Sequence, residues 1–230
     1  TPMIRLLACV CAPLVILAVP SFCQAVWFVA ATAAPPGNGS AAAPFTTIQA
    51  AILVASAGDT VRVDGGTYAE SISFLGKALT VQGIDAATCI IDAGGAAPAV
   101  TFDGGEGDDA LLLRFTIRGG AGGGGNGGGI VIDGADPQIR DCVITANTAA
   151  SGAGLWIGNG SRATIERCEI FGNIAASRGG GLQVSGAQPL IDRCDIHGNS
   201  ANFGGGVHFT AGATGVLANA LVRDNGATSL

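Results

Sequence analysis

Four columns of residues in the second half of the chain recur at one interval, and that interval restricts the fold more than any other feature. Cys142, Cys168 and Cys194 stand 26 residues apart. Ile139, Ile165, Ile191 and Leu217 keep the same step, as do Ile144, Ile170, Ile196 and Val222. Asn147, Asn173, Asn199 and Asn225 form the fourth column. One period held through four copies is the signature of a solenoid. The unit reads Ile-x-x-Cys-x-Ile-x-x-Asn, then a Gly-rich link, then a short apolar strand such as Leu155-Trp156-Ile157 or Leu182-Gln183-Val184. Alternation with period two marks strands, and no part of the unit has the length or 3.6-residue spacing of a helix. The expected architecture is all-β, a parallel β-helix (solenoid) with a short N-terminal capping helix. Its coils stack ~4.8 Å apart, so each inward column becomes a ladder of like side chains. The Asn column is expected to supply turn residues that tolerate left-handed backbone and hydrogen-bond between coils.

Composition agrees. The 38 glycines and 48% hydrophobic content fit a turn-dense solenoid, without the strict triplet of collagen or the apolar poverty of disorder. A formal charge of −6 and a single lysine, Lys77, leave no cationic face for phosphate, which argues against a nucleic-acid partner.

In chain order, Met3 and Arg5 precede the apolar run Leu6 to Val19, and Cys23-Gln24-Ala25 offers small residues at a cleavage site. Residues 1–25 therefore read as a secretory signal peptide, too short and Pro-interrupted for a membrane anchor, so that no transmembrane helix remains after cleavage. Residues 26–44 read as a leader with one strand-like piece, Val26 to Val29. Residues 45–230 read as the β-helix domain. Thr46-Thr47-Ile48-Gln49 predicts a capping box with Thr46 as N-cap and Gln49 at N3, opening a helix that Gly58 ends. Ile48, Ala51, Ile52 and Ala55 fall on one face of that helix, placed to cover the open end of the solenoid core. A start at Thr1-Pro2 and an end shortly after Asn225 predict a piece of a longer reading frame, truncated at its C-terminus.

Thr47-Ile48-Gln49-Ala50-Ala51-Ile52, then Ala57-Gly58-Asp59-Thr60-Val61 and Gly66-Thr67-Tyr68-Ala69-Glu70, resemble the opening of secreted right-handed β-helix proteins of the pectin-lyase-like superfamily. The pairing of Asn173 with Gly179-Gly180-Gly181, and of Asn199 with Gly204-Gly205-Gly206, is similar to the repeats of bacterial polymorphic outer-membrane proteins. The resemblance implies export to the medium or the cell surface, and a fold shared by pectate lyases, pectin methylesterases, polygalacturonases and adhesins. The catalytic motifs of the esterases and the paired aspartates of the polygalacturonases are not found in the sequence.

Three constellations are candidates for chemistry. If Ile144, Ile170, Ile196 and Val222 point inward, the flanking columns point out, and Glu169, Asp195, His197 and Arg223 share one exposed patch. Two carboxylates one coil (~4.8 Å) apart suit acid–base work on sugars; the bland alternative is a solvated ladder neutralised by Arg167, Arg193 and Arg223. A second outward column holds Trp156, Gln183 and His208, an aromatic platform beside hydrogen-bonding groups of the kind that stacks a sugar ring; the alternative is that the long Gly loop covers Trp156. The segment Asp103 to Leu111 holds one copy of a calcium nonapeptide, making Asp103, Glu106, Asp108 and Asp109 candidate Ca2+ ligands; the alternative is an acidic Gly-rich loop.

The three later cysteines lack the short spacing of zinc sites and are expected to stack as small buried hydrophobes. Gly119 to Gly129 reads as an excursion from the coil. Two functions stay open. One is an exported non-catalytic scaffold, adhesin-like or binding a polysaccharide or cell-surface glycan. The other is a polysaccharide-acting lyase or hydrolase that uses the Glu169 face.

Overall fold

The computed structural model describes residues 24–122, 124–210 and 212–229. The expected signal peptide, all but its last two residues, lies outside them. The chain winds as a parallel β-helix, every strand pairing with the one a full turn earlier and later. A first sheet has eight strands, running from Val26–Val29 and Thr60–Val63 to Leu190–Asp192 and Val216–Ala218. A second has seven, from Gly66–Tyr68 through Val143–Thr145, Glu169–Phe171 and Asp195–His197 to Leu221–Arg223. A third has six, from Ile72–Ser73 through Leu155–Gly158 and Leu182–Ser185 to Val207–Phe209. Val26–Val29 thus belongs to the first sheet, where it pairs residue for residue with Thr60–Val63.

The period seen in the sequence is the register of the sheets. Ile139 pairs with Ile165, Ile165 with Ile191, and Ile191 with Leu217. Ile144, Ile170, Ile196 and Val222 form the matching column of the second sheet. The isoleucines of both columns are fully buried, and each contributes about 2–3 kcal/mol by leaving water. Cys142, Cys168 and Cys194 are buried at the turn between these two sheets. Their thiols face main-chain carbonyls of the preceding coil, Cys194 Sγ lying 3.5 Å from Ile165 O. Neighbouring sulfurs and burial push the Cys168 and Cys194 thiols well above the usual range. A thiolate there is suppressed, so these cysteines are expected to stay unlabelled by a thiol reagent until the coil unfolds. Peptide mapping after brief labelling checks this, and modification of Cys168 in folded protein would contradict it.

A turn follows the second sheet, and there the asparagines form a continuous amide ladder. Asn147 donates both its backbone N–H and its Nδ2 to Asn173 Oδ1, at 3.1 and 3.0 Å. Asn173 repeats this onto Asn199, and Asn199 onto Asn225. The bonds between coils are as expected, but the left-handed residue is the one before each Asn: Ala146, Gly172, Gly198 and Asp224. Asp141, Arg167, Arg193 and Asn219 form a second left-handed column, just before the cysteine positions.

A fourth sheet is invisible in the apolar pattern. Thr148–Ser151, Ile174–Arg178, Ser200–Ala201 and Gly226–Ala227 pair in parallel after each Asn turn. The Gly-rich segment expected as an excursion is bridged to this sheet, with Ala121 beside Thr148 and Asn126 beside Ser151.

The helix spans Ile48–Val54, and Ile48, Ala51 and Ile52 are buried against the first coils. Its N-cap is Thr47 rather than Thr46, with Thr47 Oγ1 accepting from Ala50 N at 3.3 Å. The reciprocal half of the box is replaced from outside the helix. Glu70 accepts from the N–H groups of Ile48 and Gln49, at 2.7 and 3.0 Å, which frees the Gln49 amide to bond both Ser73 N and Ser73 O. At the other end the Lys77 ammonium donates to the carbonyls of Ile52, Leu53 and Ala55, so the helix stops at Val54, before Gly58.

Candidate functional site

On the outer face of the second sheet, Glu169 lies beside Val143 and Asp195, and Phe171 beside Thr145 and His197. Arg223 lies beside His197 on the next coil. The expected patch therefore assembles, as two pairs, with Asp195 Oδ1 left buried and without a partner. His197 Nε2 meets Glu169 Oε1 at 3.0 Å while its ring stacks on Phe171, centroids 5.2 Å apart and planes 2° from parallel. Arg223 Nη2 donates to Asp195 Oδ2 at 2.8 Å. Arg167 and Arg193, expected to neutralise this ladder, serve another. Arg167 pairs with Asp141 and Glu166, and Arg193 with Glu166 and Asp192, along the turn between the first two sheets. Arginines at left-handed turn residues reach the acids of that turn, not those of the next strand. The Arg167 guanidinium holds the Asp141 carboxyl below its usual range.

The outward column of the third sheet is in register as expected: Trp156 beside Gln183, Gln183 beside His208. Its exposure differs from the expectation. Trp156 and His208 are half-buried, and Gln183 is only 6% exposed. Each of the three packs against a glycine of its own coil. A Cβ on Gly152, Gly179 or Gly204 would meet the Cβ of Trp156, Gln183 or His208 at 3.0, 2.9 and 2.9 Å. These glycines also have φ near +60°, the conformation that turns the chain from the fourth sheet into the third. The Trp156 ring packs against Gly158, where a Cβ would stand 2.1 Å from Cη2.

Beside this column runs a wall the sequence did not reveal. Phe203 sits above Arg178 at the end of the fourth sheet, and with His208 and Thr210 they line a groove of about 510 Å³. Two polar atoms of the Trp156 column, Gln183 Oε1 and His208 Nδ1, are buried and have no hydrogen-bond partner among the described residues. Most buried polar groups are paired, and Asp195 Oδ1 on the second sheet is left without a partner in the same way. Burial, and then the charge of Arg178, hold the His208 imidazole below its usual pKa.

The four candidate calcium ligands do not converge. Glu106 is buried, and its carboxylate accepts from Gly76 N and Gly104 N at 2.8 and 3.0 Å, pinning the loop to the coil below. Asp103, Asp108 and Asp109 are exposed. Among the described residues, no group of three or more His, Cys, Asp or Glu side chains stands close enough to share a metal ion.

Comparison with known proteins places this geometry. The model of the right-handed β-helix region matches residues 116–230. The chain belongs to the right-handed β-helix family. Among solved structures it is similar to the pectin methylesterase PemA from Erwinia chrysanthemi, with 15% identity, a TM-score of 0.54, and coverage of 75% of this chain and 55% of that one. It is also similar to a pectin methylesterase in complex with a hexasaccharide, with 16% identity, a TM-score of 0.55, and coverage of 74% and 55%. This β-helix thus shares the pectin-lyase-like fold and spans about half the length of these two solved structures. No curated protein sequence matches it. Among the described residues, no helix of this β-helix protein is long and apolar enough to cross a membrane.

Proposed function

We propose that the chain is an exported, non-catalytic β-helix scaffold that binds a polysaccharide or cell-surface glycan along the third-sheet groove. The observation that carries this reading is the ladder Trp156, Gln183 and His208 beside the Arg178–Phe203 wall. Aromatic and hydrogen-bonding side chains recur there at rung spacing (~4.8 Å), on a backbone too rigid to lose much entropy on binding. An aromatic face meets the C–H face of a sugar while the polar neighbours meet its hydroxyls. A glycan array probed with the protein and its Trp156→Ala variant tests the reading. The expected result is binding to a restricted set of glycans, weakened about tenfold or more by the substitution, the loss typical of a hot-spot aromatic. No binding to any glycan, or binding indifferent to Trp156, would overturn it.

A second reading, a polysaccharide-acting enzyme, is favoured by Glu169 and Asp195 on adjacent rungs, with His197 on the strand of Asp195 and Arg223 on the next coil. It requires unsaturated or reducing-end products from polygalacturonate, with or without calcium, that disappear in Glu169→Gln. The pairing of Glu169 with His197 and of Asp195 Oδ2 with Arg223 supports the non-catalytic reading over this one, although Asp195 Oδ1 is buried without a partner.

A further inference from the structure

We propose that the exported chain is processed between Cys23 and Gln24, so that the mature protein begins at Gln24 and keeps Ala25. A cut at the end of the expected leader, residues 1–25, would discard both residues. The proposal rests on the exported reading and adds to it the position of the processing site. The step is a hydrolysis: water adds to the Cys23 carbonyl and the C–N bond to Gln24 breaks. The leader departs with the carboxylate, and Gln24 takes the amine.

Ala25 is bonded into the first coil. Its carbonyl accepts from Thr60 N at 2.9 Å, immediately ahead of the pairing of Val26 with Thr60. Its N–H donates to Asp59 Oδ1 at 2.8 Å. Asp59 is only 6% exposed, and its other oxygen accepts from Trp27 Nε1 and Ser56 N, at 3.0 and 2.9 Å. One buried carboxylate thus ties the start of the first strand to the turn that follows the helix. A buried carboxylate is tolerated only where its oxygens are bonded, so each of these donors matters. Gln24 lies against the same turn: a Cβ on Gly58 would stand 3.5 Å from Gln24 Nε2 and 3.7 Å from its Cγ.

A cut after Ala25 undoes this arrangement. Thr60 N loses its acceptor and Asp59 Oδ1 loses its donor. An ammonium on Val26 has no lone pair with which to accept from Thr60 N. A cut before Gln24 leaves Ala25 N as an amide donor, so both bonds survive. The sequence upstream supplies what such a cut needs. Cys23 stands directly before the Cys23–Gln24 bond and Ser21 two residues further back, the spacing of small side chains that a leader peptidase reads. Cleavage precedes folding, so the peptidase reads these side chains alone. The fold decides which product keeps its bonds.

The test is export of the full chain from a bacterial host, with the N-terminal peptide of the exported protein read by mass spectrometry. The expected start is Gln24, as the free amine or closed to pyroglutamate with loss of ammonia. A start at Val26, or at any other residue, overturns the site and leaves the exported reading standing. A chain kept uncut in the cytoplasm overturns both. Two substitutions ask which side chain the peptidase reads. Cys23→Leu is expected to abolish cleavage at this bond, and Ala25→Leu to leave its position and extent unchanged; the reverse pattern overturns the site. A further measurement is independent of the host's peptidase. Thermal unfolding compares a chain beginning at Gln24 with one beginning at Val26, and the shorter is expected to melt about 4 °C or more lower because two buried groups are stranded. Equal midpoints would show that Ala25 holds nothing in place and would remove the physical ground for the site.

Discussion

Asn173→Leu is expected to lower stability by roughly 4 kcal/mol or more, a very large effect for one near-isosteric change. The side chain is fully buried and occupies the middle of the amide ladder. Its Oδ1 accepts twice from Asn147, and its Nδ2 donates to Ile144 O at 2.9 Å and to Asn199 Oδ1 at 3.0 Å. Leucine fills the space and satisfies none of these groups. Asn147 N and Ile144 O lose their Asn173 partner away from water, each at about 1–3 kcal/mol, while Asn147 Nδ2 keeps only its bond to Ile117 O. Bonds aligned head to tail also polarise one another, so removing a middle member weakens the ones that remain. Because each coil contacts only its neighbours, the loss concentrates at one interface and divides the solenoid there. Chemical denaturation of Asn173→Leu against an exposed control, Asn202→Ala, measures it. The control should stay within about 0.5 kcal/mol of the parent. If the Asn173→Leu protein unfolds within about 1 kcal/mol of the parent, the ladder aligns coils without stabilising them.

What the sequence disclosed, and what it withheld, follows from which interactions are local to a column. Ile170 and Cys168 announce themselves because burial demands the same residue type on every coil, so the period and the register are one fact read twice. The fourth sheet has no such demand. Ala149, Ala175 and Ala201 pack in a small cluster of their own, and alanine in a strand looks like alanine in a loop. With that sheet unread, Arg178 and Phe203 stayed unread too, and the Trp156 column lacked its wall. The N-cap was misplaced by one residue because Glu70, twenty-two residues from Ile48, supplies the acceptor that Gln49 was expected to provide. The arginine pairing was misjudged because left-handed backbone at Arg167 and Arg193 turns both side chains along the bend. The Glu169–Asp195 register was legible; that its members are already paired depended on rotamers.

Gly180→Ala is expected to cost about 3 kcal/mol or more, whereas Gly186→Ala should cost about 1 kcal/mol, although of the two only Gly186 has positive φ. At Gly186, with φ +59°, an added Cβ meets nothing within 4 Å, so the cost is backbone strain alone. At Gly180 the Cβ would stand 2.3 Å from Ser200 O and 2.5 Å from Gly205 O. Neither oxygen belongs to a side chain that can rotate away. Moving this rung apart from the next strains the bonds of its neighbours, Gly179 N to Phe203 O and Gly181 N to Gly205 O, each 3.0 Å. The Gly-Gly-Gly column thus has two physical causes: a left-handed turn at Gly179, and close approach of successive coils at Gly180 and Gly181, where an added Cβ would also crowd Asn199 Nδ2 at 2.9 Å. The same three residues, with Leu182, join Arg178, which lines the groove, to Gln183 in the third sheet. Parallel denaturation curves for the two alanine variants separate the causes. Equal costs would show that the coils have room to part at Gly180. If the costs differ as expected, residual folded Gly180→Ala protein should also lose glycan affinity while Gly186→Ala keeps it, because displacing this turn moves the groove wall away from its floor.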